Sequence, residues 1–309
     1  MAQTEPQRAI SPRAWALMGL LALIWGGSFL SNKVALTELG VLTTVAFRVG
    51  GAALALWTYI LLRGLSVPKG RPWLKTCLIM GVLNNIVPFS LIVWGQTHIP
   101  TGLAGILNAA TTVFGVGLAA MAFPDERLTL RKTVGVALGL AGVVAAVGPA
   151  VLVHFDITSL GQLAILGAAF SYGVSGIYGR RALMGIRPEV GAAGMLTASA
   201  CVMVPAALMF EGVPGLHYGP TTWAAVAYLA LLSSALAYIL FYSILQTAGA
   251  GNLSLVTLLV APVAVVLGAV VYHEALPVTA YLGLVLLAMG MLVIDGKVLT
   301  IFRVKSARP

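Results

Sequence analysis

Apolar runs long enough to cross a membrane recur along the whole chain, separated by short polar breaks. They cover residues 14–32, 41–62, 74–95, 102–123, 133–152, 159–179, 189–210, 222–245, 252–272 and 278–296. A helix needs about 20 apolar residues to span the hydrocarbon of a bilayer. Backbone groups find no water there, so each run must satisfy its own hydrogen bonds as a helix. Barrel strands are shorter, about 10 residues, and alternate in polarity; these runs are longer and apolar all round. Composition agrees: 60% of the residues are hydrophobic and 9% charged, where a soluble domain carries about 25% charged residues. A water-soluble globule and a disordered chain are both excluded. No break between runs is long enough for a soluble domain. The expected fold is an all-α integral membrane protein with ten transmembrane helices.

Basic residues give the orientation. With the N-terminus in the cytoplasm, the inner side holds Arg8 and Arg13; Arg63, Lys69, Arg71 and Lys75; Arg127, Arg131 and Lys132; Arg180, Arg181 and Arg187; and Lys297, Arg303, Lys305 and Arg308. That is 16 of the 18 Lys and Arg residues, with only Lys33 and Arg48 left over. The outer side carries Glu38, His98, His154, Asp156, Glu211, His217, His273 and Glu274. This asymmetry explains the net charge of +9 without any nucleic acid. The first run follows Arg8 and Arg13 like a signal peptide, but it is of full span length and has no convincing small-residue cleavage site. It is expected to stay as the first helix.

The two halves resemble each other at an offset of 147–148 residues. Trp25-Gly26-Gly27-Ser28 and Lys33-Val34-Ala35-Leu36 match Tyr172-Gly173-Val174-Ser175 and Arg180-Arg181-Ala182-Leu183. Glu126-Arg127-Leu128 matches Glu274-Ala275-Leu276, and Gly135, Gly142 and Gly148 match Gly283, Gly290 and Gly296. Five spans per repeat is an odd number, so the second copy is expected upside down. The expected domains are a first five-helix repeat over 14–152 and an inverted second repeat over 159–297. Residues 1–13 and 298–309 are then cytoplasmic tails. Inverted repeats allow two access states around a central cavity, which points to a carrier working by alternating access.

These residues resemble the drug/metabolite transporter superfamily, in its EamA-type branch. The likeness rests on Trp25-Gly26-x-Ser28-Phe29, Phe47-Arg48, and the loop positions of Glu126 and Glu274, and covers about residues 14–297. Within the branch the chain is most similar to bacterial exporters of amino acids and related metabolites of the YddG type. The resemblance implies a cavity lined by spans 1, 3, 4, 6, 8 and 9, with spans 5 and 10 peripheral. It also implies a bacterial cytoplasmic (inner) membrane, both termini inside, and a small-molecule substrate of the amino-acid class.

Polar side chains converge at mid-span depth, where lipid offers no partners. The expected substrate-binding set is Trp25, Ser28, Asn84, Asn85, Phe89, Thr111, Thr112, Ser171, Tyr172, Ser175, Ser233, Ser234 and Tyr238. For a single Ser or Thr, a bond to its own helix is the competing reading; for Asn84 and Asn85, an interhelical strut. Trp94, Tyr178 and Tyr242 are expected gates, with a headgroup aromatic belt as the alternative for Trp94 and Tyr242. Pro88 and Pro262 interrupt their spans and are expected hinges. Arg48 is the one charge well inside a span. It either meets a substrate carboxylate or vestibule, or clamps carbonyls as a structural group. The repeat places Met195 at the matching position.

No Asp or Glu lies in the middle third of any span, which favours facilitated transport or exchange over a proton relay and leaves sodium coupling open. Glycines at 135, 139, 142, 283 and 290 lie at helix-packing spacing and suit internal contact or a dimer equally. Cys77 and Cys201 read as small apolar residues, and no metal or cofactor motif is present. Two rivals remain. Gly173-Val174-Ser175-Gly176 matches the short motif of intramembrane serine proteases, but all four His residues lie at span ends or loops, far from Ser175. A solute channel is the other.

Overall fold

The computed structural model describes residues 12–123, 129–147, 157–215, 217–248 and 255–295 of the 309-residue chain, with the side chains of 147, 157, 242, 245–248, 255, 258, 294 and 295 also outside the description. Among the described residues all regular structure is helical. In order come α1 (Pro12–Ala35), α2 (Val41–Leu62) and α3 (Arg71–Gly81). A π-helical segment, Val82–Ile86, joins α3 to α4 (Val87–Gly95) without a break. Then come α5 (Thr101–Asn108), α6 (Ala110–Ala122), α7 (Leu130–Val147), α8 (Ile157–Ala182) and α9 (Pro188–Phe210). A second π-helical segment, Tyr228–Leu236, joins α10 (Pro220–Ala227) to α11 (Ala237–Ala248). α12 (Leu255–Tyr272) and α13 (Val278–Asp295) follow.

Seven of the helical stretches are long and apolar enough to cross a membrane: Pro12–Ala35, Val41–Leu62, Arg71–Gly95, Thr101–Ala122, Thr158–Ala182, Pro188–Phe210 and Pro220–Phe241. Leu259–Tyr272 and Val278–Val293 are shorter apolar helices. Of the ten expected spans, length and composition therefore support seven among the described residues. Outward-facing side chains such as Leu54, Leu61 and Val270 are largely exposed, as a lipid-facing surface requires and a water-facing one does not tolerate.

Several helices start on proline: Pro72, Pro188 and Pro220 sit in first turns, where the missing N–H costs nothing. The N-caps Gly40, Pro100 and Gly219 have no capping side chain of their own. Glutamates from elsewhere fill the gap. Glu211, just past α9, accepts hydrogen bonds from the Leu42 and Thr43 N–H groups at 2.9 and 2.8 Å and from the Thr43 hydroxyl at 2.7 Å. Glu274, just past α12, accepts from Thr101 and Gly102 N–H at 2.8 and 3.0 Å. Glu38, just past α1, accepts from Gly219 N–H at 2.9 Å. Each carboxylate faces the positive end of a helix. Gly40 and Gly268 make room: a Cβ at either would collide with the Glu211 or the Glu274 carboxylate.

The helices pack as α2 on α9, α1 on α12, α8 on α4 and α6, α5 on α12, and α7 on α13. The α7–α13 contact is backbone against backbone. A Cβ on Gly142 would lie 2.7 Å from the Leu287 nitrogen, and one on Gly290 would lie 2.6 Å from the Gly135 oxygen. The glycine faces are thus used inside the chain. One apolar cluster holds Met18, Leu107, Ile165 and Val260. A second holds Val49, Leu56, Met195 and Leu196. Tyr172 packs against both.

Candidate functional site

Pro88 shapes the centre of the third span. It has no N–H to give to the turn before it. The preceding backbone widens: Val87 N–H bonds to Val82 O, five residues back. The Leu83 carbonyl is left without a helical donor, and the Ser171 hydroxyl of α8 reaches it at 2.7 Å. The Ser199 hydroxyl of α9 likewise lies 3.2 Å from the Gly81 carbonyl and 2.7 Å from its own helix's Met195 carbonyl. A π-helical turn re-aims side chains within a helix and is common at functional sites. Here it presents Asn84 and Asn85 together.

From those two amides runs a directed chain of bonds. The Ser175 hydroxyl donates to Asn84 Oδ1 at 2.9 Å. Asn84 Nδ2 donates to the Tyr238 hydroxyl at 2.8 Å, which donates to Asn85 Oδ1 at 2.8 Å. Asn85 Nδ2 donates to Ser199 Oγ at 3.1 Å. Four elements are tied at one level: α8, the first π segment, α11 and α9. In low dielectric such a chain polarises along its length. Asn85 is fully buried, and its amide oxygen and nitrogen are both engaged, as an interhelical strut.

Arg48 of α2 lies beside this chain. It is 6% exposed. Nε donates to Ser234 Oγ at 3.0 Å and Nη2 to Ser233 Oγ at 3.1 Å, both in the second π segment. The guanidinium lies over the Phe89 ring, 3.7 Å from its centroid. Tyr172 and Tyr238 pack against the apolar cluster that contains Phe89. Among the described residues no carboxylate pairs with it. A cation at a helix centre costs about 2.5–3.5 kcal/mol on insertion scales. Hydrogen bonds from a charged group contribute about 1.5–3 kcal/mol each, and a desolvated cation–π contact about 2 kcal/mol. Two bonds and one ring therefore suffice to hold Arg48 without an acid.

The remaining expected residues fall into separate places. Ser28 bonds to the Trp25 carbonyl of its own helix at 2.6 Å, and Thr111 to the Asn108 carbonyl at 2.7 Å. Thr112 is different: its hydroxyl meets that of Thr257 at 2.8 Å, joining α6 to α12. Trp25 packs against Phe241, centroids 5.9 Å apart. Trp94 packs at a tilt against His98, just past the end of its own helix, with ring centroids 4.6 Å apart. Tyr178 packs against the second apolar cluster. The Tyr242 side chain and Glu126 lie outside the described residues. Pro88 is buried behind the π segment, and Pro262 sits inside α12 on an exposed face. The Ser175 hydroxyl contacts Asn84 Oδ1 and the Tyr172 carbonyl, so among the described residues the protease reading finds no base bonded to it.

Several contacts escape a reading of the sequence. Asn32 Nδ2 donates to Gln96 Oε1 at 2.9 Å, and Gln96 Nε2 to the Phe29 carbonyl at 2.8 Å. Lys33 Nζ donates to the Gln96 carbonyl at 3.2 Å, a cation at a helix C-terminus. Trp57 Nε1 donates to Thr197 Oγ1 at 2.8 Å. The Tyr228 hydroxyl donates to the Ile24 carbonyl at 3.0 Å over Gly27, whose missing Cβ leaves it space. The available signal was an amide at the edge of an apolar run, as at Asn32 and Gln96. The partners are set by helix packing.

Known proteins share this chain's pattern. The model of the EamA-like transporter family matches residues 13–148 and 159–295. An uncharacterized transporter of Bacillus subtilis, YoaV, is 24% identical over 280 residues, covering 89% of this chain and 94% of its own. A probable terminal-alkyne amino-acid exporter of Streptantibioticus cattleyicolor is 28% identical over 301 residues, covering 94% and 95%. The uncharacterized inner membrane transporter YedA of Escherichia coli is 26% identical over 230 residues, covering 74% and 73%. A solved crystal structure superposes with a TM-score of 0.64 at 23% identity, covering 91% of this chain and 96% of its own, a likeness of fold.

Proposed function

The chain belongs to the EamA-like transporter family, and from that premise we propose that it is a secondary carrier exporting amino acids or related metabolites across a bacterial inner membrane by alternating access. The carrying observation is the polar chain Ser175–Asn84–Tyr238–Asn85–Ser199 beside Arg48. It supports a site between the helices whose groups are nearly all neutral, suited to a zwitterion. The amino-acid class draws on the relative whose name gives it as a probable amino-acid exporter.

In this reading ten helices form two inverted five-helix repeats, 14–152 and 159–297, with both termini cytoplasmic. Two observations support it. The family model matches the two halves separately, at 13–148 and 159–295. The π segments Val82–Ile86 and Tyr228–Leu236 overlap at the repeat offset of 148. Solute would meet Trp25, Phe89, Tyr172 and the free edge of Arg48, with Asn84, Ser171, Ser175, Ser233, Ser234 and Tyr238 fixing their positions. Ser28, Asn85, Thr111 and Thr112 complete the shell, Trp94, Tyr178 and Tyr242 act as gates, and Pro88 and Pro262 as hinges. The chain is not an enzyme.

Counterflow in proteoliposomes tests this. Vesicles are preloaded with unlabelled amino acids, traces of labelled ones are added outside, and all ion gradients are omitted. Saturable, protein-dependent accumulation is expected. Flux that does not saturate and shows no counterflow makes the protein a channel. No accumulation of any amino acid overturns the substrate class.

A further inference from the structure

We propose that Arg48, assisted by the Tyr172 hydroxyl, receives a carboxylate of the transported solute, so that the carrier selects free acids over their amides and alcohols. This rests on the carrier reading above and assigns its charge-recognising subsite.

The argument is a count of donors. A guanidinium carries five N–H groups. Arg48 uses Nε–H on Ser234 and one Nη2 hydrogen on Ser233. Nη1, with two hydrogens, has no partner among the described residues, and neither does the Tyr172 hydroxyl. Phe89 covers one face of the guanidinium, so an incoming group meets its edge. The two serines hold the guanidinium in place. The unused donors match negative charge with two acceptor oxygens, the description of a carboxylate. A primary amide brings one acceptor oxygen and no charge. An alcohol brings one weaker acceptor. A site built to bond one group rejects the analogue lacking it, because its own buried donors then stay unpaired.

A structural clamp makes a different forecast. If Arg48 served only to join α2 to the second π segment, acid and amide would be handled alike. Any substitution would then lower stability and flux for both together.

The test begins with unaltered protein. The best amino-acid tracer in counterflow is competed by the unlabelled amino acid, its amide and its amino alcohol. The same compounds are added in detergent while thermal unfolding is followed. The free acid is expected to compete at least tenfold better than either analogue and alone to raise the melting temperature. In Arg48→Lys, which keeps the charge but loses the planar fork, the acid is expected to weaken at least tenfold while the analogues hardly change. Tyr172→Phe should show the same selective loss, smaller, and stands in if the lysine variant does not fold. Counterflow with acid and amide competing equally overturns the carboxylate subsite and leaves the carrier standing. Absence of counterflow, with a carboxylate-dependent melting shift that Arg48→Lys or Tyr172→Phe abolishes, overturns the amino-acid carrier and keeps the subsite. Neither signal overturns both.

Discussion

The Ser171 hydroxyl donates to the Leu83 main-chain oxygen at 2.7 Å, across the interface of α8 with the first π segment. That bond follows from Pro88, which leaves a carbonyl upstream without its N–H. Ser171→Ala strands the carbonyl at a site where Ser171 itself is buried. An unsatisfied buried polar group costs about 1–3 kcal/mol. Ser171→Ala is therefore expected to lower thermal stability in detergent by that amount, with Ser171→Thr much milder. Pro88→Ala restores an N–H, so combining it with Ser171→Ala should cost less than the sum of the two. Strict additivity would show that Ser171 does not support the π segment.

Glu274 and Gly268 form a single device. The carboxylate caps α5 across the chain, and the absent side chain of Gly268 gives it room. Glu274→Ala should lose about 0.5–2 kcal/mol, as for other lost caps. Gly268→Ala should do similar damage, because its methyl displaces the same carboxylate. The double variant should be little worse than either single one. Denaturation of all three in detergent measures this; two independent, summing losses would dissolve the device.

The helix positions were the most legible part of the chain. Runs read at 41–62 and 189–210 appear as Val41–Leu62 and Pro188–Phe210, because lipid leaves an apolar run little else to be. The π segments were not legible. Pro88 behind Asn84-Asn85 marks one in retrospect, but nothing in Tyr228–Leu236 advertises the other. The site was half legible. Asn84, Tyr238, Ser175 and Arg48 stand out as polar groups within apolar runs, and the structure brings them into one region. Ser199 sits in span 7, outside the set of cavity spans implied by the family resemblance, and was passed over. Its role comes from the amide of a neighbouring helix. The glutamate caps were invisible because each bridges residues more than 165 positions apart.

The α7–α13 interface should be intolerant of added volume. Gly142→Val and Gly290→Val would press side chains into backbone atoms of the facing helix. Overpacking of this kind costs about 1–3 kcal/mol or more. Both variants should fold in lower yield and melt earlier, while the molecules that do fold keep their binding properties, because the polar chain lies on other helices. Gly115→Ala is the control: open space surrounds it, and it should be neutral or slightly stabilising. Equal melting temperatures for Gly142→Val and the control would mean that α7 and α13 do not rely on this contact.

Pro262 offers the cleanest separation of motion from stability. α12 lies close to α1 at Gly26, where a Cβ would collide with Val263 and approach the Val260 carbonyl, and close to α5 at Gly105, opposite Ala264. Pro262 itself is on an exposed face, so Pro262→Ala leaves both contacts untouched. The alanine supplies the missing N–H and removes the ring's clash with the turn before it, a cost of about 3 kcal/mol or more in a helix interior. The variant should thus melt at or above the parent temperature. If the proline is a hinge, a straighter and stiffer α12 will cross between access states more slowly. Counterflow turnover should then fall several-fold while the concentration giving half-maximal exchange changes little. Turnover equal to the parent's, with the higher melting temperature still seen, would mean that α12 moves as a rigid rod and that bending occurs elsewhere. Pro88, buried beside its π segment, would then be the next position to substitute.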